Sequence, residues 1–152
     1  MLRLSKKADY ALIAMKHLAR KTEQGGASSS AREIAEQYDI PIELMAKVLQ
    51  RLVKYGLLAS HQGTRGGYQL GRSAANISVA DVIQVIDGPL QVTVCSTDDE
   101  RCDQYAKCNV RDPLWQIRER ILDALSACSI AEIAADRAPV PSIHTAVLLH
   151  SR

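Results

Sequence analysis

A chain of 152 residues with 47% hydrophobic content can bury one core, but with 4% aromatic residues and no Phe that core is aliphatic and Ala-rich, which argues for helices and against a β-sandwich. The net charge of +2 conceals a divide: residues 1–72 hold twelve Lys/Arg against six Asp/Glu, and residues 73–152 hold seven against eleven. A basic amino-terminal half points to a polyanionic partner. No stretch approaches the ~18 apolar residues of a membrane span, and the start MLRLSKKADYALIAMKHLARK lacks a signal's apolar run and cleavage site, so a cytoplasmic protein with no membrane partner is expected.

The first element has apolar residues at 8, 11, 12, 14, 15, 18 and 19, a helical period, with Ser5 as N-cap. After the linker TEQGGASSS, Ser30 stands three residues before Glu33 in a capping-box arrangement, so AREIAEQY should be a short helix. In DIPIELMAKVLQRLVKYGLL, Pro41 suits a first helical turn, Ile42, Met45, Val48, Leu49 and Leu52 form the buried stripe, and Gly56 stops the helix. Two helices joined tightly, the second longer and amphipathic, read as a helix-turn-helix. LLASHQGTRGGYQLGR then gives two strand-like runs around a Gly-rich turn. A helix-turn-helix followed by a basic hairpin is a winged helix, so the fold expected is mainly α. Its second helix would enter the major groove of double-stranded DNA, and its wing, with Arg65 near the tip, would reach the backbone or minor groove.

ISVADVIQVIDGPL opens with a second capping box, Ser78 to Asp81, has apolar positions 79, 82, 83 and 86, and ends at Gly88 and Pro89. DPLWQIRERILDALSACSI begins with Asp112 as N-cap and Pro113 at the first helical position, with a stripe of Leu114, Ile117, Ile121, Leu122 and Leu125. Little chain remains to cover that long helix, so it should pair with its copy in a homodimer. Cys128 falls on its apolar face and reads as a small buried residue. A short helix and an irregular Pro-bearing tail follow. The organisation expected is a winged helix-turn-helix over 1–90, a Cys-rich loop over 91–111, a dimerisation helix and short following helix over 112–135, and a tail over 136–152.

Between the last two long helices lies VCSTDDERCDQYAKCNV, which crowds Cys95, Cys102 and Cys108 among Asp98, Asp99, Glu100 and Asp103. In a reducing compartment such a cluster binds metal or does redox chemistry. Spacings of six and then five residues are too wide for the C-x-x-C knuckle of a zinc ribbon and suit a loop around a larger cofactor. Thiolates are the soft ligands of iron–sulfur clusters, while zinc, thiol redox chemistry and a structural role remain the alternatives. There is no C-x-x-C, no Gly-rich phosphate loop and no supported carboxylate pair, so an enzyme is not expected.

For DNA, the exposed face at the start of the second helix includes Glu43, Leu44, Ala46, Lys47 and Gln50; Lys47 and Gln50 can bond base edges or phosphates, and Arg51 and Lys54 can hold the backbone. In the wing the expected contacts are Gln62, Thr64, Arg65, Gly66 and Tyr68. Ser28 and Ser30, before the first helix of the motif, stand where backbone N–H groups at a helix start can donate to a phosphate.

These pieces together carry a resemblance. LRLSKKADYAL, LMAKVLQRLVKYGLLASHQGTRGGYQLGR, ISVADVIQVIDGPL and the triple-cysteine loop leading into DPLWQI, covering roughly residues 2–135, resemble the Rrf-two (Rrf2) family of bacterial winged-helix transcription regulators. The resemblance implies a homodimer that holds an iron–sulfur cluster of two or four irons in each subunit and binds palindromic operator DNA. It implies repression of genes for iron–sulfur assembly, such as a SUF-type system, or for nitrosative or redox stress. Members that control cluster assembly complete the ligand set with a His three residues after the last Cys. Here that position is Arg111, which cannot deprotonate to ligate. Members that sense nitric oxide use an Asp near the amino terminus, given by the partner subunit, and Asp9 matches that position. The reserve ligands are His17, His61, His144 and His150. The assembly regulators also carry a Glu where this chain has Ala46, tied to a change of sequence preference on cluster loss, and an Arg where it has Gln62. Ala46 cannot play the first part; Arg65 can stand in for the second.

Overall fold

Ser5 starts the first helix, α1 (Lys6–Glu23), by accepting the Ala8 N–H at 3.1 Å, as its position in the sequence suggested. The computed structural model describes residues 3–26, 28–64, 66–93 and 102–135. The inner face of α1 is Ala8, Ala11, Ala14, Met15, Leu18 and Ala19, all buried. Four alanines there let neighbouring helices approach closely.

The capping box forms as expected: Ser30 N donates to Glu33 Oε2 at 2.7 Å and Glu33 N donates to Ser30 Oγ at 3.1 Å, opening α2 (Ala31–Gln37). The turn to α3 (Ile42–Lys54) passes through Asp39 at φ +53. Met45, Val48, Leu49 and Leu52 of α3 face the core, each fully buried aliphatic chain contributing roughly 1.5–3 kcal/mol. Two details differ from expectation. Pro41 is the N-cap rather than the first helical residue: its φ of −56 is helical but its ψ of 127 is not, while its carbonyl already accepts Met45 N at 3.0 Å. Ile42, next to it at the start of the helix, is 40% exposed instead of buried.

Gly56 ends α3 at φ +76. The hairpin follows as β1 (Leu58–His61) and β2 (Gly67–Leu70), antiparallel, with Leu58 opposite Leu70 and His61 opposite Gly67. Ser29 adds an isolated antiparallel bridge to Tyr68, through Ser29 N to Tyr68 O at 3.0 Å and Tyr68 N to Ser29 O at 2.7 Å. The wing is thereby stitched to the segment that opens α2. Gly67 is obligatory at this seam: its φ is +156, and a Cβ there would stand 2.7 Å from Ser29 O.

The second capping box, Ser78 with Asp81, opens α4 (Val79–Asp87), and Gly88 closes it. The long helix α5 (Arg111–Ala127) starts one residue before the expected N-cap. Val110 flanks it, and its carbonyl accepts Leu114 N at 3.0 Å, so Asp112 lies inside the first turn. Pro113 fits there because the first four helical N–H groups lack an intrahelical partner anyway. The chain then returns to the core through α6 (Ile130–Ala134), capped by Ser129. Val79 N donates to Cys128 O at 2.9 Å and Ile130 N donates to Ile77 O at 2.8 Å. Cys128 therefore lies beyond α5 in extended backbone, half-buried, and not on the helix's apolar face.

The core joins α1, α2, α3, α4, α6 and the base of the hairpin. The exception is α5, which has no buried residue; Ile117 is 44% exposed. No helix among the described residues is long and apolar enough to cross a membrane.

Candidate nucleic-acid interface and cysteine loop

The strong amphipathicity of α3 sorts its side chains. With Met45, Val48, Leu49 and Leu52 turned inward, Glu43, Lys47, Gln50, Arg51 and Lys54 are exposed, and Leu44 and Ala46 are half-buried. Lys47, Gln50, Arg51 and Lys54 share a groove with Lys7 of α1 and Ile86 of α4. Arg51 is engaged within the chain: its Nε donates to the Val85 carbonyl, and its guanidinium lies 5.7 Å from the Tyr55 ring centre. In the wing, Gln62 and Thr64 are exposed and Gly66 closes the tip by donating its N–H to Gly63 O at 2.9 Å. Arg65 lies outside the described residues. Tyr68 is half-buried against the core, its backbone committed to Ser29.

The serines before α2 divide the work. Ser28 is half-buried, Ser30 is the cap, and Ser29 is buried to 1% exposure. Ser29 Oγ meets His17 Nε2 at 3.0 Å and accepts from Lys21 Nζ at 2.9 Å, while His17 Nδ1 meets Tyr38 Oη at 3.2 Å. Lys21 also pairs with Glu33 at 3.5 Å. Since Lys21 can only donate, the Ser29 hydroxyl proton is satisfied by pointing at an unprotonated His17 Nε2, which puts the ring proton on Nδ1 facing Tyr38. This hub ties α1, α2 and the wing together. Nothing in the run SSS marks its middle member as buried, and His17 read only as a reserve ligand.

Burial is the main influence that lowers the His17 pKa below its ordinary 6.5; the Lys21 charge adds to this and Glu33 opposes it. The sign follows from linkage. As pH falls through about 6.5, an unfolded His gains a proton that the folded His17 resists, so stability is lost from there down to the folded value. The expected result is a melting temperature that declines faster between pH 7 and pH 5 in the parent than in His17→Gln. Parallel declines would contradict this account of the hub.

In the cysteine loop, Cys102 is exposed and Cys108 half-buried, both as free thiols. They flank a turn in which Tyr105 N donates to Cys102 O at 2.9 Å and residues Tyr105–Lys107 form a single 3₁₀ turn. Cys95 lies outside the described residues, as do Asp98, Asp99, Glu100, His144, His150 and the tail. Arg111 stacks 4.4 Å over Tyr105 and 5.8 Å from the Trp115 ring centre, and bonds Asp112 at 2.9 Å. The Asp112 bond and charge, with lesser contributions from Tyr105 and then Cys108, raise the pKa of the guanidinium further above its ordinary value. Trp115 Nε1 is buried with no partner among the described residues. Two free thiols with the Arg111 cation close by in sequence form a set that fits an anionic, sulfur-rich group. Asp9 sits in the first turn of α1, half-buried. Among the described residues no three His, Cys, Asp or Glu side chains gather as a metal site, so one chain does not bring Asp9 together with Cys102 and Cys108.

The segment leading into α5 and the helix α3 meet at the carboxyl end of α4. Arg118 of α5 donates through Nε to Leu90 O at 2.7 Å. Asp87 accepts from Ser5 N at 3.1 Å and from Ser5 Oγ. Val85 accepts from Arg51. None of the three contacts follows from periodicity or caps; each spans distant parts of the chain.

A family model described as Rrf2, iron-dependent transcriptional regulator, matches residues 4–136. The HTH-type transcriptional regulator IscR of Xenorhabdus nematophila is 33% identical over 137 residues, 90% of this chain and 81% of that one. Among solved structures, CymR, the global cysteine regulator of B. subtilis, superposes with a TM-score of 0.73 at 28% identity, covering 90% of this chain and all of that one. IscR of T. potens gives a TM-score of 0.67 at 26% identity, over 87% of this chain and 85% of that one.

Proposed function

The chain belongs to the Rrf2 family of iron-dependent transcriptional regulators, and on that premise we propose that it is a homodimeric repressor whose grip on palindromic operator DNA is controlled by an iron–sulfur cluster. Its relatives are transcription regulators, and it is not an enzyme. The finer reading is carried by one pairing: an exposed polar face on α3 beside a two-stranded wing, and free thiols at Cys102 and Cys108 on a turn leading into α5.

Lys47 and Gln50 read base edges or phosphates, Lys54 holds the backbone, and Gln62, Thr64 and Arg65 extend the contact from the wing. Glu43 and Leu44 border that face, Ser28 and Ser30 lie against a phosphate, and Gly66 and Tyr68 set the wing's shape. Cys95, Cys102 and Cys108 hold the cluster, with Asp9 of a second copy as the oxygen ligand. When bound, the cluster supplies a redox-sensitive, negatively charged group. Arg111 balances that charge. The protein works in the cytoplasm, on genes of iron–sulfur assembly or of nitrosative or redox stress. Ala46 makes a cluster-dependent change of operator class unavailable to it.

A second reading, a cluster-free regulator with redox thiols, is favoured by the exposure of Cys102.

Selection from a random duplex pool by the anaerobically prepared chain tests the DNA reading. A palindrome should be enriched, and Lys47→Ala and Gln50→Ala should each weaken its binding by about 1–3 kcal/mol in anisotropy titrations. A pool with no enriched sequence, or two variants that bind like the parent, would contradict it.

A further inference from the structure

Arg51 occupies the last turn of the reading helix, is exposed, and carries the charge that a phosphate clamp needs. Its geometry says something different. The Nε–H, the one guanidinium donor nearest the helix, is spent on the Val85 carbonyl in the last turn of α4. That carbonyl belongs to a helix end whose orphan acceptors need donors from elsewhere, and a cation there is also favoured by the helix dipole. Tyr55 flanks the same guanidinium at 5.7 Å. The Val85–Leu90 stretch is in turn held by Ser5 at Asp87 and by Arg118 of α5 at Leu90. Lys47 and Lys54, on the same helix, make no such contact with α4 among the described hydrogen bonds.

We propose that Arg51 is a positioning residue: it fixes the angle of α3 by gripping Val85, and so sets the reading face on DNA without clamping a phosphate itself. This rests on the DNA-binding reading of α3 given above. Because α5 grips the same stretch through Arg118, the joint also lies where a change at the cysteine loop meets the reading helix.

The test uses the full-length chain and the palindrome that it enriches. Arg51→Gln is the informative variant, since the Gln Nε2 sits on Cδ as the Arg Nε does and can still donate to Val85 without a charge. Arg51→Ala should bind about tenfold more weakly, the scale of one charge-assisted hydrogen bond, and Arg51→Gln should recover to within about threefold of the parent. The slope of log affinity against log salt should match the parent in both. A phosphate contact would instead lower that slope by about 0.9 in both variants. That result, or Arg51→Gln as weak as Arg51→Ala, or Arg51→Ala as tight as the parent, overturns the assignment. Failure of the function reading looks different: the parent itself then binds no duplex selectively. Failure of the sensor reading also looks different: Cys102→Ser with Cys108→Ser leaves affinity unchanged while the Arg51 pattern persists.

Discussion

Replacing Cys102 and Cys108 together by serine will give a colourless protein that folds but retains neither iron nor sulfide. Oxygen forms a poor match for iron that prefers thiolate, and losing two of three soft ligands leaves too little to hold a cluster. The fold should survive because neither thiol is in the core: Cys102 is exposed, Cys108 is half-buried, and the core residues lie in α1 to α4, α6 and the hairpin base. Anaerobic purification with iron and sulfide analysis, visible absorption and far-ultraviolet circular dichroism check this. Asp9→Ala in the same assay should give a more labile cluster, because the proposed ligand set then keeps its three thiolates and loses its oxygen ligand. A double Cys variant that keeps its colour would place the metal elsewhere, and stoichiometric zinc in the parent would favour a structural site.

Charge placed on the outer face of α5 will separate the dimer and take operator binding with it. No residue of this 17-residue helix is buried, yet Ile117 stands 44% exposed in a stripe with Leu114, Ile121, Leu122 and Leu125. An apolar stripe that its own chain covers only in part, with Leu114, Ile121, Leu122 and Leu125 half-buried, suits association, and a twofold pairing uses the same stripe from both copies. Ile117→Glu should therefore yield a monomer by light scattering. Affinity for the palindrome should fall about 10²–10⁴-fold, because the second half-site is no longer held at high effective concentration. The melting temperature extrapolated to low protein concentration should change little, since Ile117 contributes nothing to the single-chain core. A dimer of parental affinity would show that the copies meet through another surface.

How much of this was legible in the sequence depends on the range of the interaction. Caps are local, so Ser5, Ser30 and Ser78 were readable, as was the stripe Met45, Val48, Leu49 and Leu52. The errors lie at element ends, where tertiary contacts outweigh propensity. Arg111 stacks on Tyr105 and draws the start of α5 back from Asp112, and the pairing of Cys128 O with Val79 N pulls Cys128 out of the helix. Of the candidate site, the reading face and the thiols follow from residue type and spacing. The His17–Ser29–Lys21 hub and the grip of Arg51 on Val85 do not, because each joins segments whose spacing carries no periodic signal.

The central claim is that sulfur-bound iron sets the affinity for DNA, and one titration reaches it most directly. The same anaerobic preparation, assayed for iron and sulfide, is titrated against its enriched palindrome before and after chelation, at one fixed salt concentration. The account predicts two isotherms separated by roughly 5–150-fold, the usual range of a coupling free energy. A preparation with no iron or sulfide, or two superimposable isotherms, would contradict it.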